Sequence, residues 1–564
     1  MMPLTTLLMA KYSDILGGGF RSSTNYFEQI GRSAGLIPLN VFATVNNRFS
    51  LHESSPEMHA SLEAEMLSDS IRTKLSRVRK SRAGEPTTVV FTRAGALLTL
   101  KLLLAVPRPE TPYKATALGA SALHANDFVE SFDTTDLSSG LLPVVAEFAG
   151  TWELQNPREP GLLLRRSYYI YDCLLRQHEG IRALIERELH ASIADVTFAG
   201  LPFGKFFPLL FGLHTAARNG IKRQLTSIVD GADVAAKAQI SPEAFNTFAA
   251  AKARTIDEAK LTFGPIHNAD EFRSRVENLA WTSDVRPFRE KPLLLIPDGR
   301  YMVMDAQFLF ENASAGLFWN FMHQLKESKA RHLFSGYWGA VFERYTAELI
   351  GHYFPEVRTS VSYPGACADL LLESADIALV FEVKSGFIAQ DIKGSRDQQL
   401  WASELEKKYV VDQNGEPKGV RQLANAVRAL RGQQVAGGAQ SYKRIYPILV
   451  VEDPVMQTIG MNAYLNDLFE LEVTSDNDLA PLTLLAIEEL EEILPYVHAG
   501  DLGWQELLDA RVVANRQVVA YPMHTTLSEL GNERGLKVRG NGFLRQYGDT
   551  LIEMVTNTYA HLSS

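Results

Sequence analysis

Through most of the first half of the chain, apolar residues return every three or four positions, the spacing that lines one face of a helix. Beyond residue 290 they gather into short unbroken runs instead. "PEMHASLEAEMLSDSIRTKLSRVRKSR" (Pro56–Arg82), "GIRALIERELHASI" (Gly180–Ile193) and "SPEAFNTFAAAKARTIDEAKL" (Ser241–Leu261) keep the helical period, the last with a Ser-Pro-Glu helix start. "EPTTVVFTRAGALLTLKLLL" (Glu85–Leu104) reads as a strand or short hairpin running into a helix. The most apolar stretch, "FAGLPFGKFFPLLFGLHTAA" (Phe198–Ala217), is interrupted by Pro202, Lys205, Pro208 and His214. That pattern predicts a buried helix pair with tight turns, not a membrane span.

The grammar changes at "KPLLLIPDGRYMVMDAQFL" (Lys291–Leu309), two strand-like runs around Asp298-Gly299 that predict a hairpin and the start of a mixed α/β unit. A helix follows (Gly336–Phe354), then a strand near Glu356–Tyr363 and two strands around "ESAD" within "ADLLLESADIALVFEVKSG" (Ala368–Gly386). Next come a helix (Gly419–Leu430) and a strand (Arg444–Asp453), so the predicted order is α, β, β, β, α, β. "APLTLLAIEELEEILPYV" (Ala480–Val497) reads as a fifth strand running into a helix whose acidic run, Glu488 to Glu492, is expected to face solvent. A further helix covers Asp501–Val513. Four regions result: mainly helical accessory segments at 1–135 and 136–288, a mixed α/β domain at 289–500 and a helical extension at 501–564. The stretches Pro107–Pro112 and Asp133–Gly140 are the expected joints in the first half.

Composition narrows the picture. With 564 residues, 46% apolar and 22% charged, the chain has the balance of a globular protein of several domains. Its net charge of -10 excludes a general coat of Lys and Arg, so contact with nucleic acid would need a local basic patch. Cys173 and Cys367 are the only cysteines, which leaves no disulfide framework or CxxC motif and favours a reducing, cytoplasmic setting. The start, "MMPLTTLLMAKYSD", lacks a basic n-region and cleavage site and is read as mature sequence.

The sharpest chemistry lies where an apolar strand ends in charge. Residues i and i+2 of a strand share a face, so Glu382 and Lys384 project together while Val383 points the other way. If Asp369 lies on the antiparallel neighbour, its carboxylate meets Glu382 across the pair. Two carboxylates and an ammonium at one sheet edge suit Mg²⁺-dependent phosphodiester hydrolysis: hard oxygens hold the cation, and the lysine orients water or stabilises charge on the phosphate.

Asp369 followed by Glu382-Val383-Lys384 in "VFEVKSG" resembles the PD-(D/E)xK phosphodiesterase superfamily, the restriction-endonuclease-like fold, over roughly Lys291 to Val497. "GAVFERYTAEL" is similar to that family's first core helix, which puts Glu343 where a glutamate joins the metal site. "GVRQLANAV" is similar to the helix after the motif strand and puts Gln422 at the glutamine of the RecB-like branch. No proline precedes Asp369, and Ala426 and Val427 stand where that branch carries a tyrosine.

The resemblance implies an αβββαβ mixed sheet flanked by helices, attached to a large, mainly helical N-terminal region. It implies a metal-dependent nuclease with DNA as the expected substrate, Mg²⁺ or Mn²⁺ as cofactor, and Asp369, Glu382 and Lys384 as catalytic residues. Asp369, Glu382, the Val383 carbonyl and Glu343 would hold the metal; Gln422, Arg421 and Lys418, at a helix start, would contact phosphate. A homodimer or a partner protein is expected, no membrane, and a role in prokaryotic defence or DNA processing by analogy of fold. The alternative is a catalytically silent nucleic-acid-binding or assembly protein that keeps the fold.

Other features add less. The basic run Arg72–Arg82 suits a phosphate backbone or, more simply, a solvated helix C-terminus. "ERGLKVRGNGFLRQYG" (Glu533–Gly548) offers Phe543 and Tyr547 for base stacking or, more simply, core packing. The thirteen histidines form no zinc motif. "ILGGGFRSS" (Ile15–Ser23) lacks the GK[ST] ending of a phosphate loop, and no other ATPase motif occurs.

Overall fold

The helical period of the first half becomes helices that bury their apolar stripe. Helix α1 (Leu36–Ser50) packs on α2 (Arg93–Ala105), which starts where the Thr92 hydroxyl accepts from the Gly95 N–H and whose residues are all buried. Helix α3 (Pro160–Tyr168) begins on Pro160, capped by Glu159. Phe198–Ala217, expected as a helix pair, instead forms a small hairpin (Thr197–Phe198 with Leu201–Pro202) leading into one helix, α4 (Phe203–Gln224). That helix runs through Pro208 and is held by a dense aromatic core around Phe203, Phe206 and Phe207. Tertiary burial here outweighs the proline penalty.

A four-stranded sheet gathers β1 (Ile228–Val229), β2 (Ala253–Thr255), β3 (Leu293–Leu295) and β4 (Tyr301–Val303) in the order β1-β4-β3-β2. The hairpin at Asp298-Gly299 is present, with Gly299 at φ 84° as its turn demands. It does not open the main sheet, however. It pairs with two strands from a region whose pattern read as helical throughout, because strands of two or three residues leave no period to read. Asn46 and Asn47 of α1 and Arg93 of α2 fasten this sheet to the first helices. Buried Asp305 accepts from Arg93 Nη2 (2.8 Å) and Asn46 Nδ2 (2.9 Å), while Asn47 Nδ2 donates to the Val303 carbonyl (2.7 Å).

Helices α5 (Ala315–Gln324) and α6 (Ser328–Tyr353) lead into the main sheet: β5 (Arg358–Tyr363), β6 (Ala366–Ser374) and β7 (Ile377–Lys384), then α7 (Gln398–Tyr409), α8 (Gly419–Val435), β8 (Arg444–Val451), β9 (Thr483–Ala486) and α9 (Ile487–His498). The strand order is β9-β8-β7-β6-β5. The β5/β6 and β6/β7 pairs are antiparallel; β7/β8 and β8/β9 are parallel. Strand β7 is central and almost wholly buried, which is why its sequence is continuously apolar. Its Leu379, Phe381 and Val383 enter the core shared with α6, and its Ala378 and Val380 the core shared with α8. Helices therefore cover both faces of this strand.

The acidic run of α9 does not face solvent. Glu489 and Glu491 are buried. The Glu489 carboxylate accepts from the N–H groups of Ala486 and His524, and Glu491 accepts from Arg166 of α3 (3.1 Å) and from the Tyr345 hydroxyl of α6 (2.5 Å). A partner more than three hundred residues away pairs the charge, which no local pattern reveals. Phe543 and Tyr547 pack on Tyr169 in the core. The helix Asp69–Ser81 keeps its basic face largely at the surface, with Arg79 paired to Glu63.

In the computed structural model the described residues are 8–9, 15, 23–33, 35–51, 55–81, 88–106, 114–129, 140–155, 158–374, 376–412, 414–435, 442–474, 478–516 and 522–559. The Gly-rich stretch after Ile15, most of the N-terminal apolar run, nearly all of both joints, Arg82 and Ala375 of the "ESAD" turn lie outside them. Among the described residues no helix is long and apolar enough to cross a membrane.

Candidate active site

Register decides the site. The register of β6 on β7 runs as far as Leu370 opposite Phe381, which leaves Asp369 and Glu382 as the next residue of each strand toward that end. The Val383 N–H donates to Asp369 Oδ2 at 2.8 Å and fixes that carboxylate over the strand. Glu382 is buried and its carboxylate takes the ammonium of Lys384, whose side chain is 24% exposed. Val383 turns its side chain into the core on the α6 side.

Glu343 arrives from α6. Gly339, one turn earlier on that helix, passes close to Ser385: a Cβ there would lie 3.6 Å from the serine hydroxyl. This approach brings Glu343 to the same end of the sheet. Burial, and then the Asp369 charge, raise its pKa, with Lys384 opposing.

The electrostatics follow from three carboxylates around one ammonium. Burial pushes the Glu382 pKa up to about 8; Asp369 and Glu343 add to the shift and Lys384 opposes it. For Lys384, burial disfavours the charge, but Glu382, Asp369 and Glu343 outweigh it and raise its pKa. The lysine is therefore an ammonium at neutral pH, suited to donating and to stabilising negative charge and not to acting as a base.

The excess of hard oxygens over positive charge fits a divalent cation on Asp369, Glu382 and Glu343. Among the described residues no three His, Cys, Asp or Glu side chains are already gathered as a ligand set. The Lys384 ammonium neutralises Glu382 instead.

The three expected phosphate contacts sit at the start of α8, on the side of the sheet that Glu382 and Lys384 face. Its N-terminus approaches Tyr409, whose hydroxyl donates to the Gly386 carbonyl. Arg421 is paired with Glu472 (2.7 Å) and Gln422 caps its own helix by accepting from the Gly419 N–H (3.0 Å). Lys418 is half-buried beside Asp412.

Two nearby groups escaped the sequence reading. Lys408 of α7 stands 3.9 Å from where a Gly386 Cβ would lie, two residues past Lys384. Glu452 and Asp453 follow β8 directly, a visible acidic pair after an apolar run. The Glu452 N–H donates to the Lys384 carbonyl, and its buried carboxylate accepts from the Trp338 indole at 2.9 Å. Asp453 holds the loop after β7, accepting from the Ile388 N–H and from Lys393.

Compared with protein-family models, with curated proteins and with solved structures, the chain matches none.

Proposed function

We propose that the chain is a metal-dependent phosphodiesterase acting on nucleic acid, with DNA as its substrate and a restriction-endonuclease-like core at its centre. One observation carries the reading: Asp369 and Glu382 come together where a buried strand pair ends, with Lys384 on the face of Glu382 and Glu343 converging from the helix behind. The succession α6, β5, β6, β7, α7, α8, β8, the expected order with helix α7 added before α8, supports it further.

Asp369, Glu382 and Glu343 would hold Mg²⁺ or Mn²⁺, and the Val383 carbonyl is a fourth donor. When bound, such an ion supplies Lewis-acid polarisation of the phosphate and a more acidic water. The chain's own residues do the rest. Val383 orients Asp369 through its N–H; Lys384, released from Glu382, presents an ammonium to the charge that grows on the phosphate; Lys408 and the start of α8 draw the backbone toward the sheet end. The helical first half would select substrate or mediate assembly, in a prokaryotic defence or DNA-processing role.

The same Lys384–Glu382 pair favours a second reading, a nucleic-acid-binding or assembly protein with a silent site, since the ammonium already neutralises the carboxylate. Thermal melts separate the two. A ligand that binds only the folded chain raises its stability. Mg²⁺ or Mn²⁺ is expected to raise the melting temperature of the wild type and not of Asp369→Ala. A wild type that melts identically in metal and in EDTA would leave the silent reading.

A further inference from the structure

Helix α5 carries Leu317, Phe318 and Phe321 into the core but leaves Trp319 44% exposed. It is the most exposed of the six tryptophans; the others are buried or intermediate. Its ring is not adrift. It meets Phe318 edge-on with centroids 5.0 Å apart and lies 6.1 Å from Phe387 at an angle of 49°. Phe318 in turn packs on Trp338 and Phe334 of α6, so the aromatic base under Trp319 is itself part of the core.

The position matters because of Phe387. It follows Lys384 by three residues, so its Cα lies within about 11 Å of the lysine's Cα even in a fully extended chain. Trp319 stands one ring beyond it. The loop between α5 and α6 exposes Lys326 and, just into α6, Lys329, with Glu327 between them, and His323 is exposed one turn after Trp319. An open indole on an aromatic support, one ring from the residue three positions after Lys384 and with exposed lysines further along its chain segment, has the make-up of a base-stacking platform. Bases inside a duplex already have both faces covered by their neighbours, so such a platform takes a base from an unpaired strand.

Resting on the phosphodiesterase reading, we infer that Trp319, supported by Phe318 and Phe387, stacks on an unpaired base of the substrate strand and directs the site toward single-stranded or locally unpaired nucleic acid.

The test is a binding titration of fluorescently labelled oligonucleotides, single-stranded DNA, the same sequence as RNA, and the DNA duplex. Two non-cleaving forms are used: the wild type in EDTA and Lys384→Ala with Mg²⁺. Trp319→Ala is expected to weaken single-strand binding about ten-fold, with little change for the duplex, while Trp319→Phe keeps most of the affinity. A scan of single abasic sites along the strand is expected to find one position that weakens binding to the parent and not to Trp319→Ala. Dependence on Trp319 in either DNA or RNA upholds the inference, and matching melting curves show that the variant is folded. Equal single-strand affinity with and without Trp319, with no sensitive abasic position, overturns the platform while leaving the phosphodiesterase reading in place. No binding of any nucleic acid by either parent overturns both.

Discussion

Lys384 places its ammonium on the carboxylate of Glu382, two residues back on the same buried strand end. The contact neutralises a glutamate that has almost no access to water, and it occupies the oxygen a divalent cation would take. On the metal-dependent reading, Lys384 would be both a partner to the cation and its competitor.

Replacing the lysine by an apolar residue separates these roles. Breaking a buried ion pair from one side typically costs roughly 3–5 kcal/mol, less where the remaining carboxyl takes up a proton. Lys384→Met is expected to melt below the wild type in EDTA and to gain more from saturating Mn²⁺ than the wild type does. Paired melting curves check this; a Lys384→Met protein that no longer responds to Mn²⁺ would remove Glu382 from the ligand set.

Metal binding should also be linked to pH. Burial pushes the Glu382 pKa up to about 8 against the pull of Lys384, so as pH falls below that value a proton joins the ammonium in competing with a cation for the carboxylate. Stabilisation by Mg²⁺ is expected to grow as pH rises through about 8, with protons released on binding. Calorimetric titration in two buffers of different ionisation enthalpy measures that release, and none at neutral pH would contradict the assignment.

Glu491 gives a pH effect away from the carboxylates at the end of β7. Burial pushes its pKa from 4.5 up to about 7, Glu488 adding and Arg166 and Tyr345 opposing. Between those values the folded chain holds the proton more tightly than the unfolded one. Its contribution to stability is therefore greatest below about 4.5 and falls as pH rises to about 7. Urea denaturation across this window should show a flatter pH dependence in Glu491→Gln than in the wild type. Parallel curves would show that the carboxyl does not titrate there.

Asp305 tests the join between the first helices and the small sheet. It accepts from Arg93 and Asn46 and caps the following helix through the Phe308 N–H (2.9 Å). Asp305→Ala deprives a buried guanidinium of this carboxylate and is expected to cost roughly 3–5 kcal/mol in urea denaturation. A loss below about 1 kcal/mol would mean that the network is not the fastener described.

What the sequence made legible follows from the range of the forces involved. Strand β7 and its charged end could be read because a doubly covered central strand must be apolar throughout, and its alternation puts Glu382 and Lys384 together. The hairpin at Asp298-Gly299 was equally local. The pairing of Glu491 with Arg166 was not, and the acidic run looked like a solvated face until a distant helix supplied the cation. Strands such as Ile228–Val229 are too short to carry a period. Arg421 and Gln422 stand at a helix start as the pattern implied, yet their bonds to Glu472 and Gly419 depend on tertiary neighbours.

The most direct measurement is cleavage. Purified wild type and Lys384→Ala are incubated with supercoiled, linear and single-stranded DNA and with RNA, in Mg²⁺, Mn²⁺ or EDTA. Metal-dependent cleavage of DNA by the wild type is expected, and it should disappear in EDTA and in Lys384→Ala. Cleavage that persists in EDTA or survives the loss of Lys384, or a wild type that neither cuts nor gains stability from metal, would contradict it.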